Sequence, residues 1–579
     1  MATRPRDLKT RLNQLEVAMN SRIRFFVAAT LLAAGSAAHA LPIAQYNEAD
    51  TANQVTLRIG GATAVDPGLE RLWQVNVANS GVCANGSLDF FRSADRLHRL
   101  AFCTGSTNLP GALQGKRLAI FKASTGGSGN GVGPMVRNTL AIPYWDPATI
   151  TTTLGGCAGV TRAATGSFAQ WVEHDACANT GTVSRTPDAG ISDLEPAIFK
   201  TAFTPALLNS ELAAIPPLGI AGVAMGVPVS LNIYKRLQAL SFSAGSVCNP
   251  GNAGYNTDPD GAGVRPANGE SQDCMPSLTR SQAAALYANF YTSWDLILST
   301  DGATSVGDVA GAGIPALAGA PGDHPVYVCR RVDTSGTQNT FQTYFLGQRC
   351  SGETTFISAT SEPTRVREGS GSGQVVQCFN GTLPANNLPA NAGIIGTLSL
   401  EFQPGSQSAN DNWRFVKLDG VAGCVPQIIK SKYNFIGEST FQWRTSTVPA
   451  NGTTNTAALP ALSGNPLSLA SQVQQKMSSP AVISDIDSGF RTANAAFNIP
   501  VFRQCVIDAG GGTFVNTGGA LFSDALNNTA PTPPYVFSGG GAGDVLANPV
   551  LTKTHGPNGS PNACSPSMID VQSTVIDTP

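Results

Sequence analysis

The chain has 579 residues, with 62 Gly, 38 Pro, 42% hydrophobic residues and only 13% charged ones. That apolar fraction, with 25 Phe, excludes collagen and wholesale disorder, and length alone predicts several domains. A net charge of −2 and a pI near 6.2 exclude a broad basic face, so no nucleic acid is expected as a partner.

Residues 1–40 read as a targeting segment. Met19 offers a second start, Arg22 and Arg24 a basic region, Phe25 to Ala34 a short apolar run, and Ala38-His39-Ala40 a cleavage site. About ten apolar residues are too few to span a bilayer, so no membrane insertion is expected. Cleavage predicts a mature chain beginning at Leu41 and carrying a charge near −6, because the segment holds six basic and two acidic residues. No Cys precedes Cys83, which excludes a lipid-anchor cysteine. The expected location is periplasmic or secreted.

Export gives the twelve cysteines a disulfide reading. They are Cys83, Cys103, Cys157, Cys177, Cys248, Cys274, Cys329, Cys350, Cys378, Cys424, Cys505 and Cys564, with no C-x-x-C pair suited to zinc or redox chemistry. Pairing neighbours in order closes loops of similar size at 83–103, 157–177, 248–274 and 329–350, although spacing alone leaves the connectivity open.

The first predicted strand is Val55-Thr56-Leu57-Arg58-Ile59, which alternates apolar and polar residues and ends at Gly60-Gly61. Asp66-Pro67 follows as a helix cap with Pro at the first helical position, opening a helix through Leu69, Leu72 and Trp73. The same strand, turn and helix recur at Leu118 to Phe121 before Ser124-Thr125-Gly126-Gly127-Ser128-Gly129. They recur again at Val326-Tyr327-Val328 before Asp333 to Thr337 and a helix carrying Phe341, Tyr344 and Phe345. Between them lie an apolar run from Gly219 to Val229 and a helix opened by a Thr279/Gln282 capping box. Gly369-Ser370-Gly371-Ser372-Gly373 reads as a linker, and 248–274 as a loop between two cysteines. From about 447 the chain has weak periodicity and reads as an appendage tied by Cys505 and Cys564. Such units in series predict an α/β fold with mostly parallel sheets.

Each strand-to-helix turn leaves backbone N–H groups unpaired at a helix N-terminus, and several turns facing one cleft would bind an anion. Thr63-Ala64, Ser124-Thr125-Gly126 and Ser335-Gly336-Thr337 are the candidates, with Arg331 adding a planar donor fork.

The order of motifs resembles the phosphate-binding protein of the bacterial phosphate-specific ABC transporter. The matching blocks are Gly60-Gly61-Ala62-Thr63-Ala64, Ser124-Thr125-Gly126-Gly127, Gly190-Ile191-Ser192-Asp193 and Arg330 through Thr337. Ile215 through Val229, Leu278 through Asp295, and Gly393-Ile394-Ile395-Gly396 look like that family's crossover strand, second-lobe helix and return strand. Coverage runs from about 55 to 445. The resemblance implies an α/β, two-lobed periplasmic binding protein fold (Venus-flytrap, type II) with disulfide-tied insertions. Its parts would be lobe 1 at 41–217 with an insertion around 126–190, lobe 2 at 218–392, a return to lobe 1 at 393–447, and a loop-rich C-terminal extension at 448–579. It also implies that Thr63, Ala64, Ser124 and Asp193 on one lobe and Arg331, Ser335, Gly336 and Thr337 on the other hold inorganic phosphate. Asp333 stands behind them, pairing with Arg331 or capping the helix. The long separation of Ser124 from Asp193 and the tail depart from the family pattern.

Asp193 is the informative residue, because a buried carboxylate repels a dianion unless a proton lies between them. Phosphate keeps such a proton near neutral pH and sulfate does not, so Asp193 predicts phosphate over sulfate.

Catalysis finds little support. Five His occur, none paired at i,i+4 as in a helical zinc site, and His174 between Glu173 and Asp175 reads as an exposed loop residue. Gly111 to Lys116 has the wrong spacing for a phosphate loop, and there is no G-x-S-x-G elbow. No enzyme activity, metal or cofactor is expected. Two function classes remain: a monomeric phosphate-binding protein serving an ABC permease or scavenging outside the cell, and a secreted structural or adhesive protein that keeps the fold without solute transport.

Overall fold

The computed structural model describes residues 40–479 apart from 77, 79, 80, 165, 258–266, 347–361, 385, 386, 401, 405–410, 430 and 431. Beyond 479 it describes 482, 483, 486, 503–508, 514–516, 521–524, 550 and 551. The targeting segment before residue 40, Cys350 and Cys564 lie outside the described residues.

Strands β1 (Gln54–Gly61), β2 (Leu88–Ser93), β3 (His98–Thr104), β4 (Arg117–Ala123), β5 (Ile142–Trp145), β6 (Gly159–Arg162), β7 (Trp171–Cys177), β8 (Thr182–Arg185) and β9 (Ala189–Ser192) come first in the chain. All but β5 and β8, which pair with each other, join one sheet in the order β6-β7-β2-β3-β4-β1-β9. The parallel pairs β1/β4 and β1/β9 bring the C-terminal ends of three strands together at one edge of the layer. Helix α1 (Asp66–Gln74) leaves β1 at that edge.

Strand β10 (Leu218–Ser230) is buried from its second residue onward, as an apolar run covered on both faces must be. It is followed by α2 (Leu231–Ser241), β11 (Ser277–Leu278), α3 (Arg280–Tyr287), β12 (Val326–Arg331), α4 (Gly336–Leu346), β13 (Val366–Gly369), α5 (Ser372–Phe379), β14 (Gly393–Gly396), β15 (Leu398–Ser399), β16 (Trp413–Leu418) and β17 (Ile436–Trp443). The expected capping box opens α3: Gln282 N donates to Thr279 Oγ1 at 3.0 Å and Thr279 N to Gln282 Oε1 at 2.8 Å.

A second sheet runs β13-β12-β14-β10-β16. Strand β10 belongs to both sheets, pairing with β17 through Leu218–Ala224 and with β16 through Val227–Ser230. The return to the first sheet is made by β17, which lies between β9 and β10. Gly393–Gly396, expected as the return strand, instead pairs with β12 and β10 in the second sheet as β14. The short apolar Gly-Ile-Ile-Gly carries no mark of which sheet it joins. The fold is therefore α/β and two-lobed, with β10 and the chain entering β17 as the connections between lobes.

Three expected disulfides are present, Cys83–Cys103, Cys157–Cys177 and Cys248–Cys274. Cys329 pairs with Cys378 rather than Cys350, because β12 and α5 pack side by side in the second lobe. Cys505 pairs with Cys424, so the extension is tied to the chain leaving β16. The extension is more than loops: α6 (Gly464–Met477) buries Leu469, Ala470, Val473 and Met477 in the main core. A further strand at Leu521–Asp524 pairs with β10 on the edge away from β17. Among the described residues no helix is long and apolar enough to cross a membrane.

Candidate functional site

The first turn begins where β1 presses against β9. Gly61 has φ +111°, and a Cβ there would collide with Ile191 O, so only glycine lets the strand end so close to its neighbour. The backbone then passes Thr63 and Ala64, both buried, into α1. Asp66 does not cap this helix. Its carboxylate turns inward, accepting from Ser124 Oγ at 2.6 Å and pairing with Arg99 at 2.9 Å and Lys122 at 3.1 Å. The buried ammonium of Lys122 also donates to Gly61 O and Ala62 O, each at 2.9 Å, and to Ser124 Oγ at 2.8 Å. Glu70, one helical turn after Asp66, pairs with Arg92 and with Arg99, the latter at 2.6 Å, and against burial these two guanidinium groups hold its carboxyl well below the usual range.

The second turn leaves β4. Ser124 donates its backbone N–H to Leu97 O at 2.8 Å and its hydroxyl to Asp66, so it stands behind the turn and not at the meeting of the lobes. Gly126 and Gly127 follow with φ +73° and +68°, reversing the chain so that Ser128 faces the second lobe. Ser128 Oγ accepts from Asp193 N at 3.0 Å, and a Cβ on Gly336 would strike both that oxygen and the Asp193 carboxylate. Ser128 thus occupies the place expected for Ser124.

Asp193 is 1% exposed. Its Oδ2 accepts from Thr337 Oγ1 at 3.3 Å, while Oδ1 is buried without a hydrogen-bond partner. Burial pushes the carboxyl up to about 6, against the attraction of Arg331 and Lys122.

The second lobe meets these groups at the end of β12. Arg331 is 1% exposed, and burial draws its guanidinium down to about 10. Nε donates to Gly369 O at 3.1 Å, one terminal nitrogen to Ser370 O at 2.7 Å, and the other to Ser372 Oγ at 3.0 Å and to Thr63 Oγ1 of the first lobe. Ser372 and Thr63 are themselves 3.0 Å apart. Asp333 pairs with Arg330 and not with Arg331, whose nitrogens are engaged by Gly369, Ser370, Ser372 and Thr63. Ser335 is buried at the start of α4, accepting from Gln338 N at 3.4 Å. Thr334 closes the rim, donating its hydroxyl to Gly126 O at 2.6 Å and accepting from Gly129 N at 2.7 Å.

The lobes are closed upon each other. Thr63, Ser128 and Asp193 face Arg331, Ser335, Gly336, Thr337 and Ser372. Such a junction combines hydroxyl donors, one guanidinium and one free carboxylate oxygen, which together match an oxyanion that carries a proton.

No family model and no curated protein matches this chain. Solved structures do. A high-affinity periplasmic phosphate-binding protein, PfluDING, bound with phosphate, is 12% identical over 73% of this chain and 94% of its own, with a TM-score of 0.31. A phosphate-binding protein from Stenotrophomonas maltophilia is 11% identical over 73% and 89%, at 0.30. An ABC-type phosphate transport receptor from Vibrio cholerae is 11% identical over 45% and 68%, at 0.24. With every score below 0.5, the two-lobed description rests on the sheets and on β10, and no residue role is taken from these proteins.

Three features escaped sequence reasoning. Ser128 lies four residues after Ser124 in a stretch where either serine fits a turn. Ser372 lies in the presumed linker, whose signal was Val375, Val376 and Phe379 at helical spacing directly after it. The Lys122–Asp66 pair was marked by a lysine inside the otherwise apolar Leu118–Ala123. His174 is not a loop residue: it lies in β7, bonded to Asp89 at 2.6 Å and stacked on Phe91. The pair ties β7 to its neighbour β2.

Proposed function

We propose that the chain is an exported solute-binding protein that holds inorganic phosphate between its two lobes, for delivery to an ABC permease or for scavenging outside the cell. Thr63, Ser128, Asp193, Arg331, Ser335, Gly336 and Thr337 form the site in this reading, with Ala64 contributing backbone and Ser124 supporting from behind. The observation that carries it is Asp193 Oδ1, buried and without a partner beside the buried Arg331 guanidinium. An unmet acceptor in such a place costs about 1–3 kcal/mol, and a ligand O–H offsets that cost. Phosphate brings both the charge that Arg331 and the N-terminus of α4 favour and the proton that Asp193 accepts. Opening and closing about β10 and the chain entering β17 would admit the ligand and then bury it. Equilibrium dialysis of the purified chain with labelled phosphate tests the proposal. Saturable binding displaced by unlabelled phosphate and not by sulfate is expected, and no retained label at micromolar phosphate would end it.

A further inference from the structure

The buried Lys122 is not needed to close the site, yet it touches nearly every part of the first-lobe turn. It lies at the end of β4, 3% exposed, and donates to the carbonyls of both Gly61 and Ala62. A trans peptide is planar, so a carbonyl held on one side sends the following N–H to the other. The Gly61–Ala62 peptide obeys this: Ala62 N donates away from Lys122, to Ile191 O at 2.9 Å. The next peptide, held at Ala62 O in the same way, turns the Thr63 N–H away from Lys122, on the residue whose Oγ1 meets Arg331 across the junction.

The ammonium also brings charge. Asp66, Arg99 and His98 face it within the first lobe, and Asp193 faces it from the junction. Asp193 in turn faces Lys122 from β4, Asp66 from α1, Arg331 from β12 and the Thr337 hydroxyl from α4. Lys122 and Asp66 act on the Asp193 carboxyl in opposite senses, the cation favouring its ionised form and the anion its protonated form.

We propose that Lys122 is a positioning residue of the phosphate site, aiming the Thr63 N–H at the anion and, with Asp66, setting the protonation of Asp193 that excludes sulfate. This rests on the phosphate reading above. Calorimetric titrations with phosphate and with sulfate between pH 5 and 9 test it in the wild type, Lys122→Met and Asp66→Asn. Lys122→Met is expected to weaken phosphate by about tenfold to hundredfold and to move the pH below which sulfate binds upward. Asp66→Asn is expected to move that pH downward. A purely structural lysine would not produce shifts of opposite sign, so equal midpoints, or shifts in one direction, in folded variants overturn the inference while phosphate binding stands. Absence of phosphate heat in the wild type overturns both readings. If a variant does not fold, the wild-type Thr63 amide proton decides by NMR: it moves downfield on adding phosphate, and an unmoved resonance overturns the role given to Lys122.

Discussion

Asp193→Asn perturbs the group on which ligand choice depends in the proposed phosphate reading. In the wild type the carboxyl titrates near 6 because it is buried. Its folded value lies above the ordinary one, so the proton is bound below about pH 6 and lost as pH rises through it. Sulfate has no proton to give and binds only to the protonated site. At an assay pH of about 7.5, protonating the carboxyl costs about 2 kcal/mol, or about 30-fold in affinity. That penalty falls about tenfold per pH unit and vanishes near the carboxyl's own midpoint. An asparagine offers an N–H at every pH. The variant is therefore predicted to bind sulfate about 30-fold more tightly than the wild type at pH 7.5, with no pH dependence between about 6 and 8. Phosphate loses a charge-assisted hydrogen bond and weakens by about tenfold to hundredfold. Isothermal titration with each anion across that range measures both. A variant that excludes sulfate as the wild type does, or a wild type whose sulfate affinity is flat with pH, refutes the reasoning.

Further outcomes follow from single contacts. Arg331→Ala is expected to weaken phosphate by about tenfold to hundredfold and to lower Tm, since the Gly369 and Ser370 carbonyls lose their donor; dialysis and a melting curve read the two effects. Gly336→Ala places a methyl group against Ser128 Oγ and the Asp193 carboxylate, so phosphate affinity is expected to drop more than tenfold with the fold retained, checked by titration and circular dichroism. Cys329→Ser opens a bridge spanning 49 residues to Cys378 and is expected to cost about 4 kcal/mol in denaturant unfolding; peptide mapping that joined Cys329 to Cys350 would contradict the pairing.

The parts of the fold with strong local grammar were legible. The turns after β1, β4 and β12 announced themselves as alternating strands ending in small residues, and β10 as an apolar run too continuous for a half-exposed strand. Thr63, Asp193, Arg331, Ser335, Gly336 and Thr337, which those turns and the order of motifs single out, lie together where the lobes meet. Failures came where distant residues overrode a local preference. Asp66 looks like a cap until Arg99 and Lys122 claim its carboxylate across the sheet. Ser124 and Ser128 are indistinguishable until the left-handed Gly126 and Gly127 decide which one faces the other lobe. The Gly-Ser run at 369–373 has linker composition, and only packing against Thr63 and Arg331 makes Ser372 part of the junction. Likewise nothing local separates Cys350 from Cys378 as the partner of Cys329.

The central claim is that the junction holds one phosphate by its charge and its proton together. Isothermal titration of the chain beginning at Leu41 near pH 7.5, with phosphate and then sulfate, addresses it most directly. The account predicts one phosphate per chain at micromolar or lower concentration and no comparable heat from sulfate. No heat from phosphate, or equal binding of the two anions, would contradict it.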